Sequence, residues 1–422
     1  MSQAMQVSFD GPVGTVGATA VDTAVTDARP ATEPPCTIRC SVHDDLAAIE
    51  RDWRAFERIA DCTVFQSFDW LSTWQRHIGS LKGVTPAIVI GRGEDGEPLF
   101  LFPLAVTAGG WVRRLTWLGA ELCDYNGPLL APDFSGRVDA ARFARLWRDV
   151  LEAVRRRPGM RFDVVDLDKM QPMVGAQPNP FIGLGVLPNP NGAYLTRLTG
   201  DWEQFYAAKR SSSTRRRDRT KRKRLAEFGE VRFVNPQGAD IAATLATLVE
   251  QKSKALAAMG VANIFARPGH RAFYDALATE PALRDLVHIS RLDVGTTPAA
   301  VNLGLIFRGS YYHVLASYDG GEVSRFGPGA AHMHELLRYA IERGCGVFDF
   351  TIGDERYKQE WCDDRLTLLD HVSAATLRGV PAALRAQAIG RIKHRIKQTP
   401  TLWDVAEKVR ALLGPLLRRL GR

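Results

Sequence analysis

At 422 residues, 45% of them hydrophobic, the chain is long enough for two or three domains with cores of their own. No apolar run reaches the roughly 20 residues of a membrane span, and residues 1–35 lack the basic start and apolar centre of a secretion signal. The net charge of +8 is concentrated: Lys209–Arg224 and Arg378–Arg422 each carry +9, which leaves −10 on the rest, a pattern of nucleic-acid binders and of enzymes with phosphate-rich substrates.

In chain order, residues 1–35, rich in Ala, Thr, Val and Pro, read as a disordered leader. Thr37–Val42 predicts a first strand and Asp44–Ile59 a helix with Asp44 as N-cap. Ser67 caps a second helix that carries Trp70, Leu71 and Trp74 on one side, as core anchors rather than a sugar platform. Thr85–Gly91 and Pro98–Val106 read as strands joined by Glu94-Asp95-Gly96, and Trp111–Leu118 as a third. The polar loop Cys123–Pro128 follows, then a helix over Ala140–Arg155 and a strand over Phe162–Leu167. Gln177–Asn191, rich in Pro, Gly and Asn, reads as a linker. Beyond it come a strand from Tyr194, a helical stretch Asp201–Phe228 broken or capped around Ser211–Ser213, and a strand Val231–Val234. Helices over Ile241–Met259 and Gly269–Thr279 precede a strand at Val287–Leu292. The six cysteines (36, 40, 62, 123, 345 and 362) lack paired C-x-x-C spacing, which argues against zinc and for a reduced cytosolic setting.

Residues 324–361 are the most informative stretch. Ala299–Phe307 and Tyr311–Tyr318 form a hairpin around Arg308-Gly309-Ser310 and lead into Gly327-Pro328-Gly329. Met333, Leu336, Leu337, Ala340 and Ile341 fall on one helical face, Gly344 and Gly346 end the helix, and Val347–Phe350 is a buried strand. Glycines there let a ligand approach the backbone, and the unpaired N–H groups of a first helical turn favour a phosphate. The hairpin before the turn points to a mixed sheet rather than a doubly wound one. A glycine turn with no ligand is the competing reading. Arg365–Asp370 closes the sheet, and Pro381–Lys397 and Thr401–Arg419 read as basic amphipathic helices.

Phe326-Gly327-Pro328-Gly329, Leu337–Gly344, Phe348-Asp349-Phe350, Gly353-Asp354-Glu355 and Tyr357-Lys358 resemble the CelD-like acetyltransferases of the GNAT superfamily, relatives of the FemAB-type transferases. Phe65-Gln66-Ser67, Trp70 and Trp74 are similar to that family's amino-terminal signature. The resemblance covers roughly residues 36–375 and implies an α+β fold of two GNAT-like mixed-sheet domains, with acyl-CoA, and acetyl-CoA above all, as co-substrate of the second. The domains expected are a leader 1–35, a first half 36–176, a linker 177–193, a second half 194–376 and basic helices 377–422. The first half has no Gly-x-Gly turn before its long helix and is expected to bind no donor. In the second, Ser324 stands where the superfamily's pyrophosphate loop has Arg or Gln, and Arg325 comes one place late, which leaves acyl carrier protein and charged tRNA as alternative carriers.

The backbone of Gly327, Gly329 and Ala330 is the candidate donor site, with Arg325 and Lys358 as phosphate partners. Acyl transfer needs a base for the nucleophile and an acid for the departing thiolate. The resemblance suggests Tyr357 for the acid; Asp349, facing away from Phe348 and Phe350, is a candidate base or orienting group, against a structural hydrogen bond. Asp124, Tyr125 and Asn126 are the candidate acceptor cluster, and their competing reading is a polar turn. His313 reads as a structural strand histidine, and His332 and His334 are too differently directed for a metal pair. Lys209–Arg224, without interleaved aromatics, suits a phosphate or a carrier better than stacked single-stranded nucleic acid. The basic tail suggests docking on the body or peripheral contact with an anionic membrane. The function expected is a cytoplasmic N- or O-acyltransferase acting on a small-molecule or sugar acceptor, and the resemblance implies exopolysaccharide, cellulose or cell-envelope precursors. The alternatives are a FemAB-like aminoacyl-tRNA-dependent transferase and a non-catalytic nucleic-acid-binding scaffold.

Overall fold

A computed structural model describes residues 38–398. The expected leader 1–35, Cys36 and the helix expected over Thr401–Arg419 lie outside these residues. The first half runs β1 (Arg39–His43), α1 (Leu46–Glu57), α2 (Phe68–Trp74), β2 (Thr85–Arg92), β3 (Pro98–Gly109), β4 (Val112–Trp117), the short β5 (Leu129–Leu130) and α3 (Phe134–Arg137), α4 (Ala140–Arg156) and β6 (Val164–Met170). Two short strands, β7 (Met173–Val174) and β8 (Gln177–Pro178), lead to β9 (Leu187–Arg197). The second half runs α5 (Trp202–Lys209), α6 (Ser212–Ala226), β10 (Val231–Val234), α7 (Ala239–Ala258), α8 (His270–Thr279), β11 (Val287–Val294), β12 (Thr297–Phe307), β13 (Ser310–Tyr318), α9 (Pro328–Glu342) and β14 (Val347–Ile352). The short α10 (Arg356–Gln359), β15 (Asp364–Ala374) and α11 (Val380–Gln398) follow.

Local chemistry sets the helix starts. Asp45, one residue beyond the expected cap, accepts from the Ala47 N–H at 2.9 Å; Asp44 instead pairs with Arg157. Ser67 accepts from the Trp70 N–H at 3.3 Å as expected. Ser211 accepts from Thr214 N, which separates α5 from α6 within the stretch expected to be broken there.

The strands form one mixed sheet in the order β1-β2-β3-β4-β6-β15-β9-β14-β13-β12-β11-β10, with β5 paired to β3. This order is a duplication that the letters do not betray. Each half contributes an antiparallel run of four strands, then a long helix, then a strand parallel to the fourth: β4 with β6, and β13 with β14. The strand that follows is exchanged. β9 pairs with β14, and β15 pairs with β6, while β9 and β15 pair with each other at the centre. The segment 177–193, expected as a linker, therefore contains β8, a 3-10 turn and the start of β9.

Alternation along the strands divides the core between two faces. One face is covered by α1, α2, α7 and α8 in a cluster spanning both halves, where Trp70 meets Phe273 edge to face at 5.1 Å. On the other face the halves keep separate clusters, one beneath α4 and one beneath α9. α11 docks on this structure through Ala382 and Ala383 against Val112 and Val164. Its far end is tied down by Lys397, which donates to Asp354 at 2.7 Å.

Candidate active site

α9 begins at Gly327, whose backbone sits at φ 71°, a left-handed conformation that a side chain would strain. Pro328 follows at the first helical position, where its missing N–H costs nothing. Among the described residues no side chain caps this helix, so the N–H groups of Gly329 and Ala330 face outward without a cap partner. A Cβ added at Gly329 would meet the Tyr318 ring at an ordinary 3.5 Å. Behind the turn, Met333, Leu336, Leu337 and Ala340 are buried, as the spacing predicts.

The wedge in front of this turn comes from the sheet. β13 and β14 pair only over Ser310–Tyr312 and Val347–Asp349. Past Asp349 the pairing of β14 with β9 shifts register, and Thr351 takes φ 60°, strained for a β-branched residue. The Asp349 carboxylate holds that bend by accepting from the Thr351 N–H at 2.7 Å. Where the strands part, a cavity of about 450 Å³ opens, bounded by Gly329, Ala330 and Met333 of α9, Val314 and Ala316 of β13, and Thr351 and Ile352 of β14. Asp124 enters its wall from the first half, and Lys252, His313, Tyr357 and Lys358 are among its other polar residues, with Glu355 and Glu360 adding carboxylates.

A second cavity of about 270 Å³ lies against the same first turn of α9. Arg219, Lys221 and Arg222 of α6 line it together with Phe326 and Gly327, and it shares Ala330 and His334 with the larger cavity. The uncapped turn is thus flanked by a wedge on one side and, on the other, by a charged groove in which Glu203, Asp218 and Glu335 face Arg219, Lys221, Arg222 and Arg338, with Arg222 paired to Glu335.

Two carboxylates dominate the electrostatics. Asp349 is buried and accepts from the Tyr125 hydroxyl at 2.6 Å, a bond joining the two halves. Burial pushes its pKa up to about 7; the hydrogen bonds from Tyr125 and Thr351 oppose that rise, and the Asp124 charge adds to it. The Asp124 carboxyl is also raised, by burial first, against the pull of Lys169 and a hydrogen bond from Thr351. Burial lowers His313 and His332 to about 3 and His334 to about 4, so all three imidazoles are neutral near pH 7. Burial raises the Tyr357 hydroxyl, which keeps its proton at neutral pH.

The structure brings Gly329, Ala330, Asp124, Tyr357 and Lys358 to one cavity, with Gly327 at its shoulder. Lys358 is already engaged: its ammonium donates to the Ile352 carbonyl at 2.8 Å and pairs with Glu355 at 2.9 Å. Four residues are not brought to the cavity wall, the first of them Tyr125, which is buried and spends its hydroxyl on Asp349. Arg325 is exposed and turns to Glu322 at 3.5 Å, because it lies on the outer side of the 3-10 turn before Gly327. Asn126 faces β6, where it donates to the Asp168 carbonyl and carboxylate at 3.1 and 3.0 Å. Asp349 stands behind Thr351, bonded to its N–H and to the Tyr125 hydroxyl, and does not line the cavity. Sequence reasoning missed Lys252, which donates to the Ala316 carbonyl at 3.1 Å, and Arg210, which lies over Trp361 and pairs with Glu360. Lys252 carries no local signal; Arg210 lies in the basic run Lys209–Arg224, but nothing local marks it out among its ten cations. His313, read as structural, also lines the cavity.

Comparison with known proteins agrees with this geometry. Residues 212–359 match the family model described as an acetyltransferase (GNAT) domain. No curated protein matches the sequence. Among solved structures, FemX is similar with a TM-score of 0.55 and 11% identity, over 79% of this chain and 97% of FemX. L-PGS from Bacillus licheniformis (TM-score 0.46, 12% identity, 82% and 97% covered) and a tandem GNAT protein from the clavulanic acid biosynthesis pathway (0.44, 11%, 81% and 99%) also match. Residues 212–359 are thus similar to a GNAT acetyltransferase domain, within a two-half α+β fold similar to that of FemX.

Proposed function

We propose that this protein transfers an acyl group, acetyl in the simplest case, from coenzyme A to an amine or hydroxyl of a small-molecule or sugar acceptor. The observation that carries the reading is the uncapped start of α9 at the mouth of a wedge between two parting parallel strands. The N–H groups of Gly329 and Ala330 suit a diphosphate, and the unpaired edges of β13 and β14 suit the amide-bearing arm of a thioester carrier. Arg219 and Lys221 add positive charge at the phosphate end.

The chemistry is direct attack of the acceptor on the thioester carbonyl. Asp124, in the cavity wall and with a raised pKa, accepts the proton of the nucleophile. Tyr357 returns a proton to the departing thiolate. Asp349 is a positioning residue that orients the Tyr125 loop and the Thr351 bend. The resemblance to CelD-like enzymes supports a cytoplasmic role on exopolysaccharide or cell-envelope precursors, and the halves proposed are 36–176 and 194–376.

Thermal shift with acetyl-CoA tests the reading. Ligand at a hundred times Kd stabilises by about 2.7 kcal/mol. The wild type should show that rise. Gly329→Glu, whose Cβ would meet the Tyr318 ring at an ordinary 3.5 Å, should fold and lose it. A wild type indifferent to acetyl-CoA overturns the proposal. If that protein instead binds RNA in a salt-sensitive way that is lost on neutralising Arg215, Arg216 and Arg217 of α6, the aminoacyl-tRNA or scaffold reading takes its place.

A further inference from the structure

α11 has a face that the acyltransferase reading does not use. Its 19 residues contain Arg385, Arg391, Lys393, Arg395 and Lys397 and no acidic residue. Its inner side is settled against the sheet by Ala382, Ala383 and the Gln387 amide, which donates to the Val372 carbonyl at 2.9 Å. A helix docked in this way ordinarily turns polar residues outward. Here Leu384 and Ile392, two turns apart on the outer side, are 61% and 57% exposed, with Ala388 between them. At 100° per residue, Arg391 borders this strip on one side and Arg385 on the other, and Arg395 rises within it between Leu384 and Ala388. Just before the helix Leu377 is 92% exposed, and its neighbour Arg378 bonds the backbone of Trp111, a residue 52% exposed. No helix among the described residues is long and apolar enough to cross a membrane.

We propose that this outward face docks on the interfacial region of an anionic lipid bilayer. Charge complementarity favours that occupant over an apolar protein groove: an apolar strip bordered by arginines, with a tryptophan at its end, fits an interface of acyl chains below and anionic headgroups around. The 24 residues beyond the described helix continue the same composition, with Leu402, Trp403, Leu412, Leu413, Arg418 and Arg419. The face lies outside both cavities, so its occupation does not depend on donor chemistry.

Co-sedimentation of the full chain with vesicles tests this. Vesicles of phosphatidylcholine mixed with phosphatidylglycerol should carry the protein down, and vesicles of phosphatidylcholine alone should not. The double variant Leu384→Glu/Ile392→Glu should lower partitioning by more than about tenfold. Arg391→Gln/Arg395→Gln should lower it about fivefold for each charge removed. Melting temperatures identify any variant that fails to fold, and the exposed arginine pair serves if the glutamates destabilise. A wild type that remains in the supernatant overturns the proposal and assigns the face to residues 399–422 or to an acidic protein. Equal partitioning to neutral vesicles, or binding that neither variant changes, overturns it as well.

Discussion

The two halves of the sheet share a plan and differ in what fills it. In each, a fourth strand and a parallel partner pair briefly and then part: β4 with β6 over two residues, β13 with β14 over three. In the first half the space between the long helix and β3–β4 is occupied by Phe181, whose ring lies 5.0–5.1 Å from those of Phe102, Trp117, Phe143 and Trp147. The helix there starts at Asp139, whose carboxylate takes the Arg142 N–H at 2.7 Å. In the second half the corresponding helix starts at Gly327, takes no cap, and faces an open cavity. One aromatic plug and one capping acid therefore separate a closed half from a half that can receive a ligand. The closed half still reaches the open one, because its loop puts Asp124 in the cavity wall and bonds Tyr125 to Asp349.

Asp124→Asn probes that crossing contribution and should have the largest effect, a loss of about 10²–10⁴-fold in kcat at little change in donor binding. Steady-state kinetics and donor titration together check it; an unchanged kcat moves the base elsewhere. Phe181→Ala, which unplugs the closed half, should cost about 3–5 kcal/mol by denaturant unfolding. Because Asp139 still satisfies the helix start, the opened space should gain no affinity for acetyl-CoA, a point that calorimetry settles. Asp349 gives a pH signature. Its carboxyl titrates near 7 folded but near 4 unfolded, so between those values only the folded state holds the proton, and stability falls as pH rises. Asp349→Asn should abolish that fall, on the order of 2–4 kcal/mol across the window. Parallel pH profiles for variant and wild type would refute the assignment. Last, Asp139→Ala should lower stability by about 1 kcal/mol, with the donor site untouched.

Much of the secondary structure was legible because it is locally encoded. α9 follows its i, i+3, i+4 pattern, the Ser211 break is a cap, and α11 starts and ends within a residue of the expected Pro381–Lys397. The strand exchange was not legible. β9 begins in a Pro- and Gly-rich stretch that reads as a linker, and its partners β14 and β15 lie over 150 residues away. Among candidate residues, Gly329 and Ala330 of the motif helix and Asp124 of the polar loop reached the cavity, whereas Tyr125 and Asn126 of the same loop are spent on Asp349 and Asp168. Arg325 did not, since one position on a 3-10 turn reverses which side it serves. Asp349 alternates correctly, yet the bend at Thr351, invisible to a two-residue period, sets it behind the wall.

The exchange of β9 and β15 bears on how the chain is made. When β6 has been synthesised, the strand that completes its edge is still about 190 residues from synthesis. At cellular elongation rates that interval is roughly 10–40 s. Throughout it the nascent amino-terminal half presents an open row of backbone donors and acceptors. Holding factors that shield such edges should matter more for this protein than for two GNAT domains joined end to end, and severing the gene between its halves should give fragments that assemble only when made together.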